Sequence, residues 1–129
     1  LKKIKCDPLV KVKGISVVGD DPILMLTGPI PATKKVLNES KLNIDEIGLY
    51  EVNEAFAPVP LAWEIEVKAD RSKLNVNGGA MALGHPLGAS GAKLMTTLIY
   101  EMHRRNEKYG LQAICEGGGT ANATILEKI

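Results

Sequence analysis

Apolar and polar positions alternate from Val10 to Val18, and the segment is rich in Val and Ile, which predicts a strand. Asp20-Asp21-Pro22 breaks it. Pro29-Ile30-Pro31 leads into a helical stretch to about Leu42, with Pro31 suited to the first turn. Ile47 to Val52 is a short apolar run and predicts a buried strand. Ala55 to about Lys68 predicts a helix with Leu61, Ala62 and Ile65 on one side. Pro58 and Pro60 confine its regular part to the later turns, or both fall in its first turn. Leu74-Asn75-Val76 predicts a brief strand. Leu94, Leu98 and Met102 are four apart, as are Met95 and Ile99, so the longest helix carries one apolar stripe. Lys93, Thr97, Glu101, Arg104 and Arg105 form its polar face, and the two arginines complement the helix dipole at its C-terminus. Leu111 to Cys115 and Ala123 to Leu126 predict two strands around the turn Gly117-Gly118-Gly119. Trp63 is expected to pack against the sheet and His103 to be solvated.

The element order is therefore β-α-β-α-β-α-β-β, an α/β fold. It implies one domain over residues 1–129, with a mixed, mainly parallel sheet of five strands and helices on both faces. The last two strands, joined by a glycine turn, should pair antiparallel. Sites in open sheets of this kind form beyond the carboxyl ends of strands. Asn53-Glu54, Asn77 to His85 and Cys115 to Gly119 all lie there, so three distant segments can converge.

Composition narrows the classes. Of 129 residues 45% are hydrophobic and 24% charged, which excludes wholesale disorder. Sixteen Lys and Arg against 15 Asp and Glu leave a net charge of +1, without the basic excess of a nucleic-acid binder. No apolar run approaches the roughly 18 residues of a membrane span. Leu1 to Lys5 is followed by Cys6-Asp7-Pro8 and not by the apolar core of a signal peptide. The missing initiator Met suggests a processed chain or a fragment. Two distant cysteines without a secretion signal fit a reducing, intracellular setting, the cytoplasm by default.

Eight of the 13 glycines fall in two clusters, at 78–91 and 117–119, which points to site architecture. Cys115 lies between an apolar strand and three glycines. It can be a small buried hydrophobe, or a thiol beside backbone N–H groups able to stabilise an oxyanion. His85, in Gly84-His85-Pro86-Leu87-Gly88, can be a locally bonded residue with Pro86 opening the next helix. It can equally be an acid or base, with that helix's positive end favouring a developing anion. Asn53 can cap a helix or hold a water or a carbonyl oxygen. Cys6 is expected to be inert, and no metal-ligand set is present. Neither glycine cluster has the phosphate-loop or dinucleotide spacing.

Asn53-Glu54-Ala55-Phe56, Asn75 to Gly91 and Cys115-Glu116-Gly117-Gly118-Gly119 resemble the three C-terminal motifs of the thiolases, acyl-CoA C-acyltransferases of acetyl-CoA and fatty-acid metabolism. Order and spacing both match, with 32 residues from Asn53 to His85 and 30 from His85 to Cys115, and the resemblance runs from about Pro8 to the end. It implies the C-terminal half of a subunit built of two similar β-α-β-α-β-α-β-β halves. It implies acyl transfer between CoA thioesters, by Claisen condensation or by thiolytic cleavage of 3-ketoacyl-CoA. CoA is then a substrate and no cofactor is needed. The implied roles are these. His85 activates a nucleophilic cysteine and donates to the thioester oxygen. Cys115 removes or returns the α-proton, with a lowered pKa suiting it as base. Asn53 holds a water that completes the oxyanion site. The Gly117 N–H serves a second oxyanion site, and Ala55 and Phe56 border the pantetheine. The family's acylated cysteine belongs to the N-terminal half, so the implied partners are acyl-CoA, CoA, that half and, when complete, further copies of the subunit. The chain alone is expected to be inactive and to show an apolar docking face. Three other readings remain open: a small Cys-His acyl hydrolase with Cys115 as nucleophile, a non-enzymatic module pairing with a separate N-terminal-half chain, and a relative of the condensing enzymes of fatty-acid synthesis. Those condensing enzymes usually carry a second His in place of the Cys-x-Gly-Gly-Gly turn.

Overall fold

A computed structural model describes residues 7–129. Cys6 and the Leu1 to Lys5 segment lie outside the described residues. The strands are β1 (Val10–Gly19), β2 (Leu49–Val52), β3 (Tyr109–Glu116) and β4 (Thr120–Lys128). The helices are α1 (Pro29–Ser40), α2 (Pro58–Val67), α3 (Ala80–Leu83, a single turn) and α4 (Ser90–Arg105). Every strand and helix expected from the sequence is present except the fifth strand, and α3 is additional.

The sheet has four strands in the order β1-β4-β3-β2. Among the strands of the described residues only β2 and β3 run parallel; β1 with β4 and β3 with β4 are antiparallel. The mixed sheet stands, but the expectation that it would be mainly parallel, with five strands, does not. The reason lies in Leu74-Asn75-Val76. Leu74 makes one parallel bridge to Tyr50, and the chain then turns at Asn75, whose φ is +47°. Beyond that point the Asn75 side chain replaces backbone pairing. Its Oδ1 accepts from Val52 N at 2.9 Å, and its Nδ2 donates to Val52 O at 3.0 Å. Its own N–H donates to Tyr50 O at 2.8 Å. An amide side chain carries the same donor and acceptor as a peptide group, so it can finish a sheet edge in place of a strand.

Helices cover both faces, as expected. On one face α1 and α2 pack on Tyr50, Val52, Leu111, Ala113, Ala123 and Ile125. Trp63 of α2 is fully buried there. It meets the Tyr50 ring edge-on at 5.4 Å between centroids and donates its indole N–H to Thr33 Oγ1 at 2.8 Å. The buried stripe of α2 is Val59, Trp63 and Val67. Leu61 and Ile65, expected on the inner side, point outward, and Ile65 is 75% exposed. Three apolar stripes compete on this nearly all-apolar helix, and the Trp takes the core side because its large surface gains most from burial. On the other face Leu98 and Met102 of α4 pack on Leu49 and Leu126.

Beyond the reach of α4 that second face is uncovered. Val12, Ile15 and Val17 of β1 are each more than half exposed. They pair across the strand with Leu126, Thr124 and Asn122, so they share the α4 side of the sheet.

Glu101, expected on the polar face of α4, is buried instead. It forms ion pairs with Arg104 and Arg105, one turn further along. The Arg104 hydrogen bond, helped by Asn77 and Arg105, holds its carboxyl down to about 2. Glu51, 2% exposed on β2, has the opposite setting. Its Oε2 has no hydrogen-bond partner among the described residues. Burial, then the charges of Glu54 and Glu101, push it up to about 8.

Two predictions follow from the β2 edge and from Glu51. Asn75→Ala strands both polar groups of Val52 and should cost about 1–3 kcal/mol in chemical denaturation; an unchanged midpoint would mean that the amide is ornamental. A carboxyl with a raised folded pKa favours folding fully below its unfolded value, near 4.5, and loses that contribution as pH climbs toward 8. Glu51→Gln should therefore flatten the fall in thermal midpoint between pH 5 and 8. The same slope in both proteins would contradict the assignment.

Candidate active site

A cavity of about 450 Å³ opens beyond the carboxyl ends of β2 and β3. Asn53, Ala55, Phe56, His85, Cys115 and Gly117, all singled out in the sequence, line it together. The sequence reading missed Met25, Leu26, Leu87, Ser90, Ile114 and Glu116 on the same wall. Ser90 and Glu116 carried a signal in their position beside the His85 and Cys115 motifs, whereas Met25 and Leu26 sit in a loop with no chemical marker.

Asn53 continues β2 by donating its backbone N–H to Ala113 O at 2.9 Å. It is 1% exposed, and its Oδ1 has no partner among the described residues. It does not cap α2, whose N-cap position is Ala57. The next residue, Glu54, ties the glycine segment down. Its carboxylate accepts from Asn75 Nδ2 at 3.0 Å and from Met81 N at 2.9 Å. Gly79 makes room for it, since a Cβ there would lie 2.4 Å from the Glu54 carboxyl carbon.

His85 follows α3 and precedes α4 by five residues, so Pro86 does not open the helix as expected. Instead Pro86 O accepts from Ala89 N and Ser90 N, a turn that leads into α4. This places His85 before the helix rather than in it, in side-chain contact with Ser90, the first residue of α4. Lys93 of α4 donates to Leu83 O and Gly84 O, holding the residues just before His85. Gln112 of β3 donates to Gly91 O at 2.7 Å, tying the start of α4 to the strand that ends in Cys115.

The His85 ring is oriented by Ser90. Nδ1 lies 2.5 Å from Ser90 Oγ, and that hydroxyl donates its single proton to Pro86 O at 3.1 Å. With the hydroxyl proton on Pro86 O, Ser90 accepts from His85, which puts the ring proton on Nδ1 and leaves Nε2 with its lone pair.

Cys115 is half-buried at the end of β3 and packs against the α1–α2 core. Burial pushes its thiol up, with a smaller push from the Glu116 charge. The thiol is thus raised where glycine N–H groups and a nearby His suggested a lowered value, because desolvation of the thiolate outweighs the lowering by a backbone hydrogen bond at Cys115. The turn after it is held by the loop that follows β1. Asp20 N donates to Gly119 O at 2.6 Å. Gly119 has φ +81°, and a Cβ there would sit within 2.9 Å of the Asp20 and Asp21 carbonyl oxygens, so only glycine fits.

Ser90→Ala should free the ring and mix the two imidazole tautomers. Nitrogen-15 NMR of His85 reads this directly, with Nδ1–H dominant in the wild type and a substantial Nε2–H population in the variant. Identical spectra would remove Ser90 from the arrangement.

Comparison with known proteins agrees with this geometry. Residues 6–128 match the family described as thiolase, C-terminal domain. A steroid 3-ketoacyl-CoA thiolase of Mycobacterium tuberculosis is 57% identical over 122 residues, which is 95% of this chain and 30% of that protein. An acetyl-CoA acetyltransferase of Cupriavidus necator is 43% identical over 127 residues, 98% of this chain and 32% of that one. The crystal structure of human mitochondrial 3-ketoacyl-CoA thiolase superposes with a TM-score of 0.95 at 45% identity, covering 99% of this chain and 32% of that one. The chain thus spans about a third of the length of the relatives it matches. In sequence, fold and the clustering of its three motifs, it belongs to the thiolase family and matches its C-terminal domain.

Proposed function

We propose that these residues are the acid/base half of a thiolase site that transfers acyl groups between CoA thioesters, acting on 3-ketoacyl-CoA. The observation that carries the reading is the single cavity shared by Asn53, His85, Cys115 and Gly117. Relatives named for 3-ketoacyl-CoA and acetyl-CoA, and a related thiolase solved in complex with CoA, support the substrate class. The rim residues Met25, Leu26, Phe56 and Leu87 suit an apolar acyl or pantetheine portion.

In this reading the residues take the roles that the family resemblance implies, and their shared cavity supports it. The His85 Nε2 lone pair takes the proton of a nucleophilic thiol. The resulting imidazolium then donates Nε2–H to the thioester oxygen as charge develops there. Asn53 Oδ1 accepts from a water whose other proton meets the same oxygen. Cys115 exchanges a proton with the α-carbon. The N–H of Gly117 serves the oxygen of the acyl-enzyme. Passage through an acyl-thiol divides one hard step into two easier ones.

Cys115 lies in the acid/base position of this scheme, so the acylated sulfur comes from a segment outside these residues, the N-terminal thiolase half. The uncovered β1 face with Val12, Ile15 and Val17 is the apolar surface against which such a half would pack. Complete subunits are expected to assemble further into oligomers. The isolated chain should leave acetoacetyl-CoA and CoA unconverted in a thiolysis assay. In the polypeptide that also supplies the nucleophile, His85→Ala and Cys115→Ala should each lower kcat by about 10²–10⁴-fold. Robust turnover by the 129 residues alone, or full activity in either variant, would overturn the reading.

A further inference from the structure

The α3–α4 connection delivers His85 to the cavity. Its joints are not equally stiff. His85 precedes Pro86, and a residue before proline is held to extended backbone. Pro86 O in turn accepts from Ala89 N and Ser90 N, which fixes the run into α4. The loose joint is Gly84. Its φ is +91° and its ψ 150°, a region open essentially to glycine alone. Without a Cβ it can swing about both dihedrals, and that swing moves the imidazole. Lys93 closes this joint. Its ammonium donates to Leu83 O and, at 3.3 Å, to Gly84 O. Leu83 O belongs to the peptide plane before the Gly84 Cα, and Gly84 O to the plane after it. One group that grips both planes fixes both dihedrals between them. Lys93 joins no ion pair among the described residues. It stands one turn into α4, where a cation opposes the helix dipole. Neither charge pairing nor helix stability explains a lysine there; the two carbonyls do.

We propose that Lys93 is a positioning residue that locks the Gly84 joint and thereby aims the His85 imidazole into the cavity. The inference rests on the role proposed above for His85. Lys93 and Ser90 are three residues apart on α4 and so share one face of it. Ser90 meets Nδ1 of the ring, while Lys93 holds the main chain that carries it. Two contacts from one rigid helix restrain both the place and the rotation of the imidazole. The helix is itself fixed to β3 by the bond from Gln112 to Gly91 O. His85 is thereby referred to the strand that ends in Cys115, although the two are 30 residues apart. Proton transfer from a thiol to Nε2 needs hydrogen-bond distance, and a displacement of about 1 Å costs on the order of 100-fold in rate. Lys93 does not line the cavity, so it acts only through His85.

The test uses the polypeptide that also supplies the nucleophile. Lys93→Met keeps an unbranched stem but removes the donors. It should lower kcat by about 10- to 100-fold, while the KM for acetoacetyl-CoA stays within about twofold of the wild type. Lys93→Arg keeps a cation able to bond two carbonyls and should hold kcat within about threefold. In a His85→Ala background Lys93→Met should lower the residual rate no further, because a residue acting through His85 has nothing left to aim. Nitrogen-15 relaxation reads the joint directly. The order parameters of the Gly84 and His85 amides should fall from about 0.85 to below about 0.6 in Lys93→Met, with those of α4 unchanged. An unchanged kcat in Lys93→Met overturns the proposal. So do an equal loss in the His85→Ala background, an Arg variant no better than the Met variant, and Gly84 and His85 amides that stay rigid. The two readings fail separately. Full activity of His85→Ala would overturn the proton-transfer reading, whereas loss of order at Gly84 in Lys93→Met would still support the clamp.

Discussion

The edge of the sheet at β2 is the constraint on which the site depends. A four-residue strand at a sheet edge has polar groups on its outer side that must find partners. Here Leu74 and Asn75 supply them, first by backbone and then by the Asn75 amide. That substitution of a side chain for a strand ends the pairing where the chain needs to turn away. It leaves Glu54 free to receive Asn75 and Met81, which anchors the glycine segment beside the end of β2. His85 then emerges within reach of the cavity that Asn53 borders.

The second half of the site is built by close approach. Gln112 binds Gly91 O, drawing the start of α4 onto β3. Ser90, next to Gly91, is buried and contacts the His85 ring. On the far side the glycine turn accepts the loop after β1 at Gly119, where a side chain would collide with backbone. Glycines thus serve here as places where two segments meet, and the polar side chains between them set orientation. Cys115 ends up half-buried in apolar surroundings, which favours its neutral thiol.

Much of this was legible in the residues. The Leu94–Leu98–Met102 stripe, the Val-rich alternation of β1 and the paired strands around three glycines each follow one periodicity, and each appears where it was expected. The six residues marked by motif converge on one cavity: Asn53, Ala55 and Phe56 follow β2, Cys115 and Gly117 stand at the end of the neighbouring β3, and His85 arrives on the α3–α4 connection. What the pattern could not show depended on partners distant in sequence. An Asn in an apolar triplet reads as a strand, since its amide's two bonds to Val52 lie 23 residues away. The inward face of α2 was misassigned because its moment is weak and Trp63 decides the side. Glu101 read as solvated until its two arginines allowed its burial. The direction of the Cys115 shift depends on packing depth, which no local motif encodes.

The central claim is that Cys115 handles protons while another sulfur carries the acyl group. The most direct test is to trap the acyl-enzyme formed from an acyl-CoA by rapid acid quench and map the modified cysteine by mass spectrometry, using the polypeptide with its nucleophile-bearing segment. The account predicts the acyl group on a cysteine outside these 129 residues, with Cys115 unmodified. An acyl group on Cys115 itself would contradict the account and make this a Cys-His acyl hydrolase.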